Sequence, residues 1–342
     1  MTGRFARLCV GIAALTSLFG LFGLVGAAQA QQKSEISITR QPGIFYMPTY
    51  IMEKDKLVEK QAEKLGLPNL KVNWVAFSGG GAATDALLSG GVDVLNTGVG
   101  NLLLLWDRTK GGVKGIIGTS AQPVTLITRD PKIRSLKDYG PTDKIAVPTV
   151  RVSTQAILLQ IAAAKLFGPD QWSKLDANTV QLGHSDAAAA MSNPSHEVRS
   201  HFAAPPFTFY EMKTLEDPYV VADSADIIPG GISQAQLFTT TKFADANPKA
   251  VLAIKAAALE AIDMLVNNTE KAVAMYREAS GDKTPLPDLL AMLKQPGMMN
   301  FDPTPHGTMV FAAHLHKIGT IKTMPTSWKD YYLPTAHDRD GS

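Results

Sequence analysis

The sequence predicts an α/β protein whose two lobes are joined by two crossing strands and enclose a ligand cleft. Strand-like and helix-like segments alternate along the chain, which is typical of a mostly parallel sheet with helices on both faces. Without its first thirty residues the chain still has about 310 residues, more than one hydrophobic core usually holds. The alternation is interrupted near Gln122 and at Gly230–Gly231, so we expect the chain to cross between lobes there.

The first thirty residues have the pattern of a secretory signal peptide. Arg4 and Arg7 precede an apolar run from Leu8 to Val25, followed by the small-residue site ending at Ala30. We expect cleavage after Ala30 and export of a soluble mature chain. The alternative is a membrane anchor, because about 18 apolar residues could just span a bilayer.

Composition excludes several classes of function. Lys and Arg number 33 against 31 Asp and Glu, and removal of the signal peptide makes the two numbers equal. A nucleic-acid partner is therefore not expected. The only cysteine, Cys9, lies in the signal peptide, so the mature chain would have no disulfide. The histidine spacing fits no metal site and no catalytic motif is present, so we expect no metal, no cofactor and no catalytic residue.

The first lobe is expected to begin at residue 31 and to end at residue 122. A strand over Glu35–Arg40 leads into a helix from Tyr46 to Leu65, which Gly66 and Pro68 would end. The strands NLKVNWVAF, VDVLNTG and VKGIIGTS then alternate with two further helices. In open α/β sheets, ligands bind beyond the carboxyl ends of the strands, so the residues at those ends are the candidates for binding.

Ligand contacts in the first lobe are expected where strands end and helices begin. A Ser-Gly-Gly-Gly loop would present free backbone N–H groups to a ligand, although a flexible capped loop is the alternative. Tyr46 could stack on a ligand, whereas Phe45 is better explained as a core residue. The candidates in this lobe are Arg40, Tyr46, Thr49, Ser78, Gly79, Gly80, Gly81, Thr97, Gly98 and Ser120.

The second lobe is expected over residues 123–232, and residues 233–342 would return to the first lobe, largely as helices. In KIAVPTVRVSTQAILLQIAAAKLFG a strand passes through a polar loop into a helix from Ser153 to Phe167. The loop places Arg151 and two hydroxyls at a helix N-terminus, which suits an anion or another polar group. An arginine there could hold a carboxylate, sulfonate or phosphate; surface pairing is the alternative.

Five segments in fixed order carry a family resemblance: YMPTYIMEKDKLVEKQAEKLG, FSGGGAATDALLSGGVDVLNTGVGN, DKIAVPTVRVSTQAILLQIAAAKLFG, LGHSDAAAAMSNPSHEVRSHFAAPPFTFYEM and ADSADIIPGG. Together they resemble the periplasmic substrate-binding proteins of ABC importers for nitrate, sulfonates, taurine and thiamine-pyrimidine precursors. The resemblance implies a type II periplasmic binding fold and a monomer that delivers a small ligand to an inner-membrane permease with its ATPase. Besides Arg151 from the loop, it implies these second-lobe candidates: Val152, Ser153, Thr154, Gln155, His184, Asp186, His201 and Phe207.

The identity of the ligand stays open at this point. Hydroxyls, backbone N–H groups and an arginine suit a small organic anion such as a sulfonate, taurine or nitrate. Tyr46, Trp74 and Phe207 could instead enclose a flat pyrimidine or flavin ring. Related folds include desulfinase-like enzymes with a cleft cysteine and a cytosolic pyrimidine synthase, which this cysteine-free mature chain disfavours. A binding protein that serves a sensor kinase is a further alternative.

Overall fold

The structure is a computed structural model that describes residues 32–77 and 80–342. The predicted signal peptide, with Cys9, and the loop residues Ser78 and Gly79 lie outside the described residues. The strands are β1 (Glu35–Arg40), β2 (Lys71–Ala76), β3 (Val94–Thr97), β4 (Val113–Ser120), β5 (Thr125–Thr128), β6 (Lys144–Val147), β7 (Thr179–Gln181), β8 (Val198–Ala203), β9 (Tyr219–Asp223) and β10 (Ala235–Thr240).

Helices connect most of the strands and form the C-terminal part of the chain. They are α1 (Met47–Lys54), α2 (Leu57–Lys64), α3 (Gly80–Leu88), α4 (Val99–Arg108), α5 (Thr154–Phe167), α6 (His184–Ser192), α7 (Phe207–Thr214), α8 (Ser224–Ile227), α9 (Thr241–Ala246), α10 (Pro248–Asn267), α11 (Thr269–Ser280), α12 (Leu286–Leu293) and α13 (Thr308–Lys317). Within the described ranges, no helix is long and apolar enough to cross a membrane.

The strands form two sheets of five. The first sheet has the order β2-β1-β3-β10-β4 and the second the order β7-β6-β8-β5-β9. The chain leaves the first sheet after Ser120 and returns to it at Ala235. This topology confirms the predicted α/β fold with two crossings, while the lobe limits at residues 122 and 232 stay a prediction.

Both sheets are mixed in direction. The pairs β1–β2, β1–β3, β6–β7 and β6–β8 are parallel. Strand β10 runs antiparallel to β3 and β4, and β5 runs antiparallel to β8 and β9. The expectation of a mostly parallel sheet is therefore wrong for β5 and β10. Each is the first strand after a crossing, so a right-handed βαβ crossover does not determine its direction.

The single helix predicted from Tyr46 to Leu65 is two helices in the structure. Helix α1 ends at Lys54 and α2 begins at Leu57. Lys56 adopts a left-handed backbone conformation with φ 50°, which interrupts the helical hydrogen-bond pattern. The apolar periodicity continues across the break, which is why the sequence alone suggests one helix.

The long helix α10 packs against α1, α2 and β4. Ala250, Ala253, Ala257 and Ala261 are all fully buried along it. Their spacing of three and four residues puts these small side chains on one face of the helix, so neighbouring backbones approach closely. The helical C-terminal region predicted after Asn247 is thus held against elements of the first sheet.

Helix α4 follows β3 of the first sheet, and α5 follows β6 of the second sheet. The two helices meet at Gly100 in α4. A Cβ atom added at Gly100 would lie 2.5 Å from Ile157 Cδ1 and even closer to the carbonyl oxygen of Val152. A second contact joins the loops after β1 and β8, where Ile44 N–H donates to the Pro205 carbonyl at 3.0 Å. The approach of α4 to α5 therefore requires a residue without a side chain at position 100.

The substitution Gly100→Ala tests this requirement. The added methyl group would collide with a backbone carbonyl, and such overpacking typically costs about 1–3 kcal/mol. We expect the melting temperature to fall by several degrees and the radius of gyration in small-angle X-ray scattering to rise. Gly140→Ala is the control, because a Cβ there would meet only an ordinary side-chain contact with Asp143 at 3.4 Å. Equal behaviour of the two variants would contradict the prediction.

Candidate ligand-binding site

A cavity lies between the two sheets, where the parallel strands β1, β3 and β6 end. The volume of the cavity that the centre of a water-sized sphere can occupy is about 30 Å³. Its lining comes from strand ends, helix starts and the segment that returns to the first sheet. The lining residues are Gln41, Pro42, Phe45, Tyr46, Gly80, Thr97, Gly98, Asn101, Pro148, Thr149, Ser153, Thr154, Gln155, His184 and Gln234.

Among the residues that the structure describes, the lining includes no lysine, arginine, aspartate or glutamate. Its polar groups are side-chain amides, hydroxyls and one imidazole. Burial, reinforced by the neighbouring His201, lowers the pKa of the His184 imidazole well below its usual value, so this ring is uncharged at neutral pH. A ligand in this cavity must therefore be held by hydrogen bonds and dipoles rather than by an ion pair.

Four helices begin at the cavity. Gly80, Thr154 and His184 are the first residues of α3, α5 and α6, and Gly98 precedes the first residue of α4. The first turn of a helix has unpaired backbone N–H groups and a positive dipole end equivalent to about half a charge. These helix starts make the cavity favourable for an anion or for a group rich in hydrogen-bond acceptors.

Several buried polar atoms on the lining make no hydrogen bond to the described residues. They are the hydroxyl oxygens of Thr149 and Thr154 and both amide atoms of Gln234. Gln234 is only 3% exposed. An unpaired buried polar group typically costs about 1–3 kcal/mol. A ligand in this cavity could therefore pair with these groups.

A chain of buried hydrogen bonds extends from the lining into the second sheet. Gln155 Nε2 lies 3.3 Å from His184 Nε2, and His184 Nδ1 lies 2.8 Å from His201 Nε2. His201 Nδ1 in turn lies 2.6 Å from Glu211 Oε1. Burial lowers the pKa of His201 to about 3 and raises the pKa of Glu211 to about 8, so this pair is not ionised at neutral pH. Phe207 stacks on His184 with ring centres 5.7 Å apart.

Comparisons with known proteins give structural neighbours only. No protein-family model and no curated protein sequence matches the chain. Among solved structures, the alkanesulfonate-binding protein SsuA from Xanthomonas axonopodis pv. citri, bound to MOPS, has a TM-score of 0.66 at 15% identity over 90% of this chain and 99% of that chain. The periplasmic nitrate-binding protein NrtA from Synechocystis PCC 6803 has a TM-score of 0.65 at 15% identity, covering 88% and 85% of the two chains.

A third structural neighbour is described by its fold. A Candida albicans gene product described as having the generic periplasmic binding protein fold matches with a TM-score of 0.59 at 14% identity, over 84% of this chain and 89% of that chain. This chain has the periplasmic binding protein fold. The neighbours include the sulfonate-binding and nitrate-binding proteins that its sequence segments resemble.

The structure brings many of the predicted site residues together in this periplasmic binding protein fold. Those on the cavity lining are Tyr46, Gly80, Thr97, Gly98, Ser153, Thr154, Gln155 and His184. Three others lie directly behind the lining. Thr49 Oγ1 donates to the Tyr46 carbonyl at 2.8 Å, and His201 and Phe207 contact His184.

Six other predicted residues do not line the cavity: Arg40, Gly81, Ser120, Arg151, Val152 and Asp186. Arg40 pairs with Glu53 at 2.9 Å. Arg151 is exposed, with a φ of 66° in the turn before α5, and Asp186 is exposed on α6. Chain position places these residues near strand ends and helix starts but does not determine where each side chain points. Arg40 is thus paired and Arg151 is exposed, and neither arginine lies on the cavity lining.

Sequence reasoning missed seven of the lining residues: Gln41, Pro42, Phe45, Asn101, Pro148, Thr149 and Gln234. Gln41 and Pro148 directly follow strands, so the rule that selected Thr97 could also have selected them. Gln234 precedes β10, and because β10 is antiparallel its start lies at the edge of the sheet where its parallel neighbours end. Phe45, predicted as a core residue, is 4% exposed and also borders the cavity.

The substitution Gln234→Met tests whether this amide is unpaired in the ligand-free protein. Methionine keeps the length of the side chain and removes both unpaired atoms, so we expect an unchanged or higher melting temperature. Gln160→Met is the matched control. Gln160 is also buried, but its amide hydrogen-bonds Asp176 at 3.0 Å and His314 at 3.1 Å. The control should melt at a lower temperature, and equal destabilisation of both variants would show that Gln234 has partners.

Proposed function

We propose that this protein is the extracytoplasmic substrate-binding component of an ABC transporter and captures a small organic anion such as a sulfonate, taurine or a nitrate-like ion. The observation that carries the proposal is the uncharged cavity where four helix starts and unpaired hydroxyl and amide groups converge. The names of the sulfonate-binding and nitrate-binding neighbours support it. The expected partner is a membrane permease with its ATPase.

The lining explains how a ligand would hold the two halves of the protein together. Thr97, Gly98 and Asn101 follow or end a strand of the first sheet, whereas Ser153 and Thr154 follow a strand of the second. Ser153 Oγ accepts from Ala156 N–H at 3.2 Å, which leaves the hydroxyl hydrogen of Ser153 free to donate. A ligand contacts both groups only when they are close, so binding favours the closed arrangement.

The size of the cavity favours a compact ligand. A single water requires roughly 10–15 Å³ when volume is measured by the centre of the sphere. The observed 30 Å³ therefore suits a small headgroup such as nitrate or sulfonate better than a flavin ring. Trp74, one of the aromatic residues considered for a flat ligand, does not line the cavity. The lack of any cysteine after Cys9 disfavours a desulfinase-like enzyme.

A thermal-shift screen of the purified protein tests the proposal. The compounds would be nitrate, ethanesulfonate, taurine, benzoate, an aminopyrimidine and riboflavin, with chloride as the ionic-strength control. A ligand at a hundred times its dissociation constant adds about 2.7 kcal/mol to the free energy of unfolding, which raises the melting temperature by several degrees. Shifts with only the pyrimidine or riboflavin would refute the anion and favour the ring-shaped alternative.

The substitution Thr154→Val tests the cavity itself. It removes an unpaired hydroxyl with little change in shape, and a hydrogen bond to a charged group is typically worth about 1.5–3 kcal/mol. We expect the affinity for the best anion, measured by calorimetry, to fall roughly 10- to 100-fold with no loss of folding. Thr142→Val, at an exposed loop position, should bind like the wild type. Unchanged affinity of the Thr154 variant would place the ligand elsewhere.

A further inference from the structure

The hydrogen-bonded chain of Gln155, His184, His201 and Glu211, here called the histidine relay, connects the cavity to a buried carboxyl group. The side chains of His201 and Glu211 are 0% and 2% exposed. Glu211 Oε2 has no hydrogen-bond partner among the described residues. This carboxyl group is linked to a lining residue atom by atom, so a change in its protonation can reach the cavity through the two imidazole rings.

The other charged or titratable groups on the elements packed against the relay are paired elsewhere, exposed or half-buried. On the elements packed against it, α6, α7, β5, β6 and β8, these groups are Asp186, Tyr210, Lys213, Lys144 and Arg199. Asp186 is exposed and Lys144 is half-buried. Arg199 pairs with Asp130, Lys213 pairs with Asp288, and Tyr210 donates to Asp282. Burial is thus the cause of the raised pKa of Glu211, to about 8.

The relay has two complete hydrogen-bond patterns that differ by one proton. When Glu211 is ionised, His201 Nδ1–H donates to it and His184 Nδ1–H donates to His201 Nε2, so His184 Nε2 is an acceptor. When Glu211 is protonated, its O–H donates to His201 Nδ1. His201 Nε2–H then donates to His184 Nδ1, and His184 Nε2–H becomes a donor. Both rings are neutral in each pattern, and the added proton resides on the carboxyl group.

The orientation of the Gln155 amide follows from the state of His184. An accepting His184 Nε2 takes a hydrogen bond from the Gln155 amide N–H and leaves the amide oxygen for the cavity. A His184 Nε2–H instead donates to the Gln155 amide oxygen, which leaves the NH₂ group for the cavity. The first arrangement presents an acceptor to a ligand, and the second presents donors, which an anion requires.

We propose that Glu211 is a positioning residue that sets, through His201 and His184, whether this wall of the cavity donates or accepts hydrogen bonds, so that anion capture takes up one proton. The coupling to an anion rests on the proposed function, whereas the reversal of the relay rests on its geometry alone. Anion binding selects the protonated carboxyl group, because only that pattern presents donors and adds no second negative charge nearby.

The first experiment needs no ligand. Ring-nitrogen chemical shifts of ¹⁵N-histidine-labelled protein report which nitrogen carries the proton, and would be followed from about pH 6 to about pH 10. We expect His184 and His201 to change together from Nε2–H to Nδ1–H as the pH rises. In Glu211→Gln the group that titrates is gone, so both rings should keep one tautomer. Glu216→Gln, an exposed position on the same segment, should behave like the wild type.

The second experiment measures calorimetric binding of nitrate and ethanesulfonate, whose charges stay constant over this pH range. We expect the association constant of the wild type to fall by up to about tenfold per pH unit above about pH 8. Titrations in buffers of different ionisation enthalpy should show uptake of about one proton per anion near pH 9. Glu211→Gln should bind with an affinity independent of pH and without proton uptake, while Glu216→Gln keeps the wild-type profile.

The outcomes separate the two proposals. Ring tautomers that stay fixed in the wild type would overturn the relay whatever the ligand, and this result does not depend on any variant folding. Tautomers that reverse in a protein that binds neither anion would overturn the anion function and the coupling with it. Anion binding with the same flat pH profile in wild type and Glu211→Gln would refute the coupling and leave the proposed function standing.

Discussion

The close approach of α4 to α5 is the constraint on which the rest of the site depends. It is possible because Gly100 places no side chain against the Val152 carbonyl and Ile157. Gly98 has a similar role two residues earlier, since a Cβ there would lie 2.7 Å from Thr154 Oγ1. These two glycines bring helix starts of both sheets to one small space. The cavity is thus determined by backbone contact, and its polar side chains line a space that the backbones define.

The polar side chains on the cavity lining depart from the usual rule for protein interiors, where nearly every buried polar atom makes a hydrogen bond. Away from the cavity, the buried Gln160 follows this rule, because its amide pairs with Asp176 and His314. At the cavity, Thr154 and Gln234 have no such partners among the described residues. The contrast between these two buried glutamines is consistent with the proposal that a ligand pairs with Gln234.

The sequence predicted the fold well and the site only in part, for a physical reason. Strand and helix periodicity and the caps at Ser153 and Gly168 depend on local interactions, so α5 was predicted almost to the residue. The break at Lys56 and the antiparallel direction of β10 depend on packing between distant elements. Arg151 shows the same limit for side chains, since its place at a helix start was predicted correctly while its exposure depends on a left-handed turn. Gln234 was missed because only the sheet order brings it to the cavity.

The unpaired amides at the crossings have a consequence for the empty protein. Gln122, in the first crossing, and Gln236, at the start of β10, are fully buried, and like Gln234 they lack protein partners among the described residues. A buried amide without a partner is less stable than one that pairs with water or a ligand. An arrangement of the two sheets that admitted water to these amides would therefore be favoured over the observed one until a ligand supplied the hydrogen bonds of Gln234.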